Sequence, residues 1–214
     1  MPRLKPDTQR ARRETILDAA ELCFARAGFH RTTMQDICAE AGISAGALYV
    51  YFKSKEDLIA GIAERNRTKL ADELKKVAAA PDLVSALGAL GEHYAVDEPL
   101  HKRLLCIEIG CESTRNPAVG EIFRSVDSFC MNSLVDLLER AATEGRIAPG
   151  MEPRQLAQII AVIGDGLFWR RAVDPAFDAQ ALMPAVMRLV ALLLNPTDPM
   201  PAYGSQTPDP KVIP

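Results

Sequence analysis

The chain is poor in the side chains that usually carry catalysis. Its three histidines, His30, His93 and His101, stand in no HExxH, in no nucleophile–base neighbourhood, and at no ligand spacing from the cysteines. Neither GxxxxGKS/T nor GxGxxG is present, so no phosphate-cradling loop is encoded. The five cysteines, Cys23, Cys38, Cys106, Cys111 and Cys130, include no CxxC pair. Cys106 and Cys111 would lie about 140° apart around a helix, so one helix cannot aim both at a common metal. These absences argue against an enzyme, a metal centre and a cofactor. No stretch reaches the roughly 18 uninterrupted apolar residues of a membrane span. The start, MPRLKPDTQRARRET, has no apolar run, and Cys23 and Cys38 fall on apolar helix faces. The expectation is a soluble cytoplasmic protein without a signal peptide, its cysteines reduced. Strict apolar/polar alternation and internal repeats are also missing, which excludes sheets and solenoids and leaves an all-α class.

With 48% apolar residues, the chain can bury a sizeable core. The net charge of −3 excludes a wholly basic nucleic-acid coat. Its distribution is uneven. Residues 1–53 carry eight Lys/Arg (Arg3, Lys5, Arg10, Arg12, Arg13, Arg26, Arg31, Lys53) against six Asp/Glu, and the remainder is negative.

The most legible stretch is TTMQDICAEAGISAGALYVYFKSKED, Thr32 to Asp57. Thr33 can cap a helix with Asp36 as its partner three residues on, and Met34, Ile37, Cys38 and Ala41 recur at helical spacing. Gly42 supplies a residue free to take positive φ where that helix stops. Ser44 caps a second helix whose Leu48 and Phe52 share a face, and Ser54 with Asp57 opens a third. Helices this short are unstable alone and must cross, which makes the stretch a helix-turn-helix. Upstream, a helix of about 8–27 places Ile16, Ala20, Cys23, Phe24 and Ala27 on one stripe. Downstream, the pattern predicts helices over about 55–80, 82–96, 100–111, 118–144, 153–171 and 178–194. Residues 1–7 read as a flexible arm. Residues 195–214, NPTDPMPAYGSQTPDPKVIP, read as a disordered Pro-rich tail.

The motif, with RRETILDAAELCFARAGFHRTT before it, resembles the DNA-binding end of the TetR/AcrR family of transcriptional regulators. That resemblance implies a helix-turn-helix domain at 1–54 and a helical ligand-binding and dimerisation domain at 55–194. It also implies a homodimer that represses from a palindromic double-stranded operator and is released by a small hydrophobic or aromatic effector. For DNA contact it points to Thr33, Gln35, Ser44, Ala45, Gly46 and Ala47, and to Tyr49, Val50, Tyr51 and Lys55. The family often has Lys or Arg near position 45, Thr or Ser at 47 and a polar residue at 50, and this chain departs at all three. Ala47 and Val50 can meet thymine methyls, and Gly46 can admit backbone close to the bases or serve a tight helix crossing. Tyr49, Tyr51, Lys55 and the Thr33 hydroxyl or amide are the expected phosphate contacts, with partial burial the other reading for each tyrosine. Lys55 is read toward phosphate because a cation at a helix N-terminus opposes the dipole.

In the C-terminal half, Tyr94, Cys106, Ile109, Phe123, Phe129, Phe168 and Trp169 are candidate effector-site residues, as are the acidic Glu108 and Asp165. An acid inside an apolar helix must face water, pair or meet a ligand, and Arg124 or Arg170 could supply the pair. Helices 153–171 and 178–194 are apolar over more than one face, which suits a two-fold four-helix bundle, with Gly164 and Gly166 allowing close approach. A redox response through Cys106, Cys111 or Cys130 is the alternative to an effector.

Overall fold

The computed structural model describes residues 6–197, and among them are nine α-helices and no strand. In order they are α1 (Pro6–Ala27), α2 (Met34–Ala41), α3 (Ala45–Tyr51), α4 (Lys55–Ala79), α5 (Leu83–Glu92), α6 (Leu100–Ser113), α7 (Pro117–Thr143), α8 (Pro153–Val173) and α9 (Ala179–Leu194). The helix expected over 82–96 changes register. After α5 the backbone widens into a π-helical turn, His93–Asp97, which closes just before Pro99, a residue that cannot continue a helix. Part of the expected arm is helical. Residues 1–5 lie outside the described part, but Pro6 and Asp7 already belong to α1, where proline's missing N–H costs nothing and an acid suits the helix dipole.

Of the expected tail, residues 198–214 lie outside the described part, whereas 195–197 are fixed. Asn195 takes a left-handed φ of 47° and its side-chain amide donates to the Ala148 carbonyl at 2.9 Å. The Thr197 hydroxyl donates to the Gly145 carbonyl at 2.6 Å, and Pro196 bridges Ile147. Proline-rich composition misses this because the partners lie in a loop about fifty residues earlier.

The described residues pack as two compact units. One takes everything up to Asp72 together with Glu98–Cys130; the other takes Glu73–Asp97 and everything from Met131 on. In the first unit, α1 buries Ile16, Leu17 and Phe24, α2 buries Ile37, α3 buries Leu48, and α4 buries Leu58, Ile59 and Ile62. Each such side chain contributes about 1.5–3 kcal/mol on burial. Leu105 of α6 and Val119 of α7 complete the same core. Packing therefore joins the helix-turn-helix to residues on both sides of position 54. Polar contacts reinforce this: Arg65 of α4 reaches Glu14, Asp18 and Glu21 of α1 at 3.1, 2.7 and 2.5 Å.

The second unit has a core of Val84, Leu137, Leu138, Leu156, Met187 and Leu194 among others. Its α8 and α9 keep an apolar stripe in solvent: Ile159, Val162, Trp169 and Val173, with Leu182, Leu189 and Leu192. Val162 is 69% and Leu192 78% exposed. A Cβ built on Gly164 or Gly166 meets nothing within 4 Å, so neither glycine serves a close approach among the described residues.

Candidate nucleic-acid interface

The α2–turn–α3 geometry follows from its caps. The Thr33 side chain accepts the Asp36 N–H at 3.1 Å, and the Asp36 carboxylate accepts the Thr33 N–H at 2.8 Å and its hydroxyl at 2.7 Å. This closes the reciprocal box read from the sequence. Those hydrogen bonds, the hydroxyl's first and the amide's second, hold Asp36 below the usual carboxylate range. Both Thr33 groups nominated for phosphate thus face Asp36. Gly42 takes φ 63°, and its N–H and that of Ile43 return to the Ala39 and Cys38 carbonyls. Ser44 Oγ accepts the Ala47 N–H at 3.3 Å and starts α3.

α3 buries Leu48 and turns Ala45, Gly46, Tyr49 and Val50 to solvent, with Ala47 half-buried. Val50 is 74% exposed, an apolar side chain left without cover beside the 44% exposed Tyr49. Gln35 is exposed at the start of α2. Gly46 is not a packing glycine, since a Cβ there meets nothing within 4 Å; the tight-crossing reading therefore gives way. Tyr51 is half-buried against the first unit's core, so Tyr49 and Tyr51 differ in what they can offer a phosphate.

Lys55 is engaged within the fold. Its Nζ donates to the Phe29 carbonyl at 2.5 Å and lies 4.3 Å from the centre of the Phe29 ring. The Phe29 carbonyl and ring offset the helix-dipole conflict that had pointed this lysine toward phosphate. Lys53 was not singled out from the sequence. It is exposed in the α3–α4 connection, with its ammonium on the Tyr49 carbonyl at the end of α3. Its single positive charge among serines and acids gave little local signal.

The nine effector-site candidates are divided between the units. Cys106, Glu108, Ile109, Phe123 and Phe129 belong to the first, and Tyr94, Asp165, Phe168 and Trp169 to the second. Glu108 corrects the sequence reading, since its Oε1 accepts the Phe29 N–H at 2.7 Å in place of pairing with Arg124 or Arg170. Ile109 packs beside it against the helix-turn-helix core. Cys106 and Asp165 are exposed, and Phe123 is 37% exposed. Trp169 sits on the solvent-facing stripe of α8. Tyr94 donates to Glu73 at 2.6 Å, Phe129 lies under the Arg67 guanidinium at 4.7 Å, and Phe168 is half-buried. A cavity of about 250 Å³ in the second unit, lined by Val96, Arg171, Phe177 and Gln180 among others, takes in none of the nine. None of the five cysteines is in a disulfide. Among the described residues no group of three His, Cys, Asp or Glu could hold a metal, and no helix is long and apolar enough to cross a membrane.

Two family models match the chain. Residues 16–62 match bacterial regulatory proteins of the tetR family, and residues 104–195 match the C-terminal part of BetI-type transcriptional repressors. The HTH-type transcriptional regulator UidR of Escherichia coli K12 is 28% identical over 152 residues, covering 69% of this chain and 75% of that one. The structure of Salmonella enterica GusR superposes with a TM-score of 0.74 at 28% identity, covering 86% of this chain and 95% of that one. A SmeT–triclosan complex superposes with a TM-score of 0.73 at 25% identity, covering 89% and 99%.

Proposed function

Because the chain belongs to the tetR family of bacterial transcriptional regulators, which are DNA-binding proteins and not enzymes, we propose that it represses from a palindromic operator as a homodimer and is released by an apolar, aromatic small molecule. The observation that carries this reading is the solvent-facing surface of α3, where Val50 and Tyr49 are exposed and a Cβ at Gly46 would meet nothing within 4 Å. An apolar, uncharged reading face suits thymine methyls and close backbone approach, while phosphate contacts fix the register. Residues 1–54 read the operator in the cytoplasm, and residues 55–194 carry the effector and dimer functions. Tyr49, Lys53 and the half-buried Tyr51 supply phosphate contacts, and Gln35 and Val50 supply base contacts.

The exposed stripe of α8 and α9 supports the dimer. Ile159, Val162, Gly166, Trp169 and Val173 recur at three- and four-residue spacing on α8, so they share one face, and a second copy of the pair would cover it. Trp169 belongs to this interface in the proposal, leaving the half-buried Tyr94 and Phe168 of the second unit as effector-facing candidates. The complex of SmeT with triclosan supports an aromatic effector class. An effector that prefers the released conformation by about 1.4 kcal/mol lowers operator affinity tenfold, and DNA then weakens effector binding by the same factor. A thermal-shift screen of hydrophobic aromatic compounds, followed by titration of hits against operator-bound protein, tests it. A compound that binds tightly and leaves operator affinity unchanged in both directions of the cycle refutes the release.

A further inference from the structure

The turn between α1 and α2 is gripped by side chains from two other helices. Gly28 has φ +80°, and a Cβ at that position would lie 3.0 Å from Glu108 Oε1, so the α6 carboxylate can close on the turn because glycine stands there. Glu108 Oε1 accepts the Phe29 N–H at 2.7 Å, while Lys55 of α4 donates to the Phe29 carbonyl at 2.5 Å. A single peptide residue thus joins α6 to the start of α4. One helical turn along α6, the Glu112 carboxylate is 1% exposed and lies 2.9 Å from His30 Nε2, with Arg115 Nε donating to it at 2.7 Å. Residues 108 and 112 are four apart, so they occupy one face and hold two successive residues of the turn.

The grip continues toward the reading surface. The Thr32 hydroxyl lies 2.8 Å from the Gly28 carbonyl and 3.0 Å from that of Cys23, and Thr33 follows as the α2 cap, with Gln35 in the first turn. We propose that Glu108 is a positioning residue for DNA recognition, through which α6 fixes the α1–α2 turn and hence the placement of α2 and α3 against base edges. The proposal rests on the DNA-binding reading above.

Charge and reach make opposite predictions here. A carboxylate near DNA repels every duplex alike, so if charge were its whole role, removing it would raise affinity without regard to sequence. A positioning role depends on reach to the Phe29 N–H. Glu108→Asp keeps the charge and withdraws the oxygen by one methylene; Glu108→Gln drops the charge and keeps an acceptor in place. The full-length protein is first used to select a duplex from a random-sequence pool. Affinities of the wild type and both variants are then measured for that duplex and a scrambled one at fixed salt, with hydrogen exchange at the Phe29 amide. The expected result is a roughly tenfold fall in the specific-to-scrambled ratio for Glu108→Asp with faster Phe29 exchange. Glu108→Gln should retain most of the ratio. A Glu108→Asp ratio equal to wild type, with Phe29 exchange accelerated, overturns the positioning role alone. A wild-type protein that selects no duplex removes the DNA-binding reading, and this inference with it.

Discussion

Gly46→Ala should stabilise the protein and weaken its binding to DNA. Gly46 is the second residue of the seven-residue α3, its φ is not positive, and an added Cβ meets nothing within 4 Å. No packing cost opposes the change. Alanine is favoured over glycine by about 1 kcal/mol in a helix interior, and roughly half of that is reasonable so close to the end. Thermal unfolding should therefore shift upward by about 1–2 °C, given about 2–4 °C per kcal/mol in a chain of this size. The same methyl occupies the face that the proposal sets against base edges, where backbone approach leaves no room for it. A tenfold loss, about 1.4 kcal/mol, is expected for the selected duplex. Calorimetry and fluorescence-anisotropy titration on one preparation separate the two effects. Unchanged affinity for the duplex would refute the placement of α3 in the groove, and a lowered melting temperature would refute the claim that Gly46 has no packing role.

Arg65→Ala should destabilise the first unit by about 3–5 kcal/mol, because it strips the partner from Glu21, whose side chain is 3% exposed; urea unfolding measures this, and Glu21→Gln in the same background should recover part of the loss. Acid should unfold the protein through its depressed carboxylates. Burial by itself would raise Glu112, yet the Arg115 hydrogen bond and the His30 and Arg115 charges hold it below its ordinary value, and Ser85 does the same for Asp82 against burial. A carboxylate whose folded pKa lies below its unfolded value contributes stability that is fully present above the unfolded value, about 4, and is lost as pH falls through the folded one. Glu112→Gln should therefore flatten the acid limb of a stability–pH curve below about pH 4, and an unaltered limb would exclude Glu112 as its source. Val162→Glu with Leu192→Glu should yield monomers by sedimentation, since both positions lie in the exposed stripe.

The helix-turn-helix was legible because its grammar is local. Thr33 with Asp36, Gly42, and Ser44 with Ala47 each act within four residues, and the sequence order fixes the partner. The family models match on both sides of Leu100, in agreement with the resemblance read from the motif. The grip on the α1–α2 turn was not legible. Glu108 and Phe29 are 79 residues apart, and an acid on an apolar helix face gives no sign of which backbone N–H it will meet. Lys55 shows a related limit: the dipole argument considered only its own helix, while the Phe29 carbonyl and ring come from the α1–α2 turn. Trp169 looked like a pocket residue because aromatic composition cannot say which side of α8 faces its own unit.

The central claim is that two copies of this chain read one palindromic duplex through paired α3 helices. Sedimentation of the protein with a duplex selected from a random pool, and with the same duplex carrying one scrambled half, measures it directly. Two protomers on the intact duplex, with affinity collapsing when one half is scrambled and half-sites centred about 34–36 Å apart or close to it, is the expected result. One protomer per duplex, or equal affinity for the intact and half-scrambled forms, would contradict it.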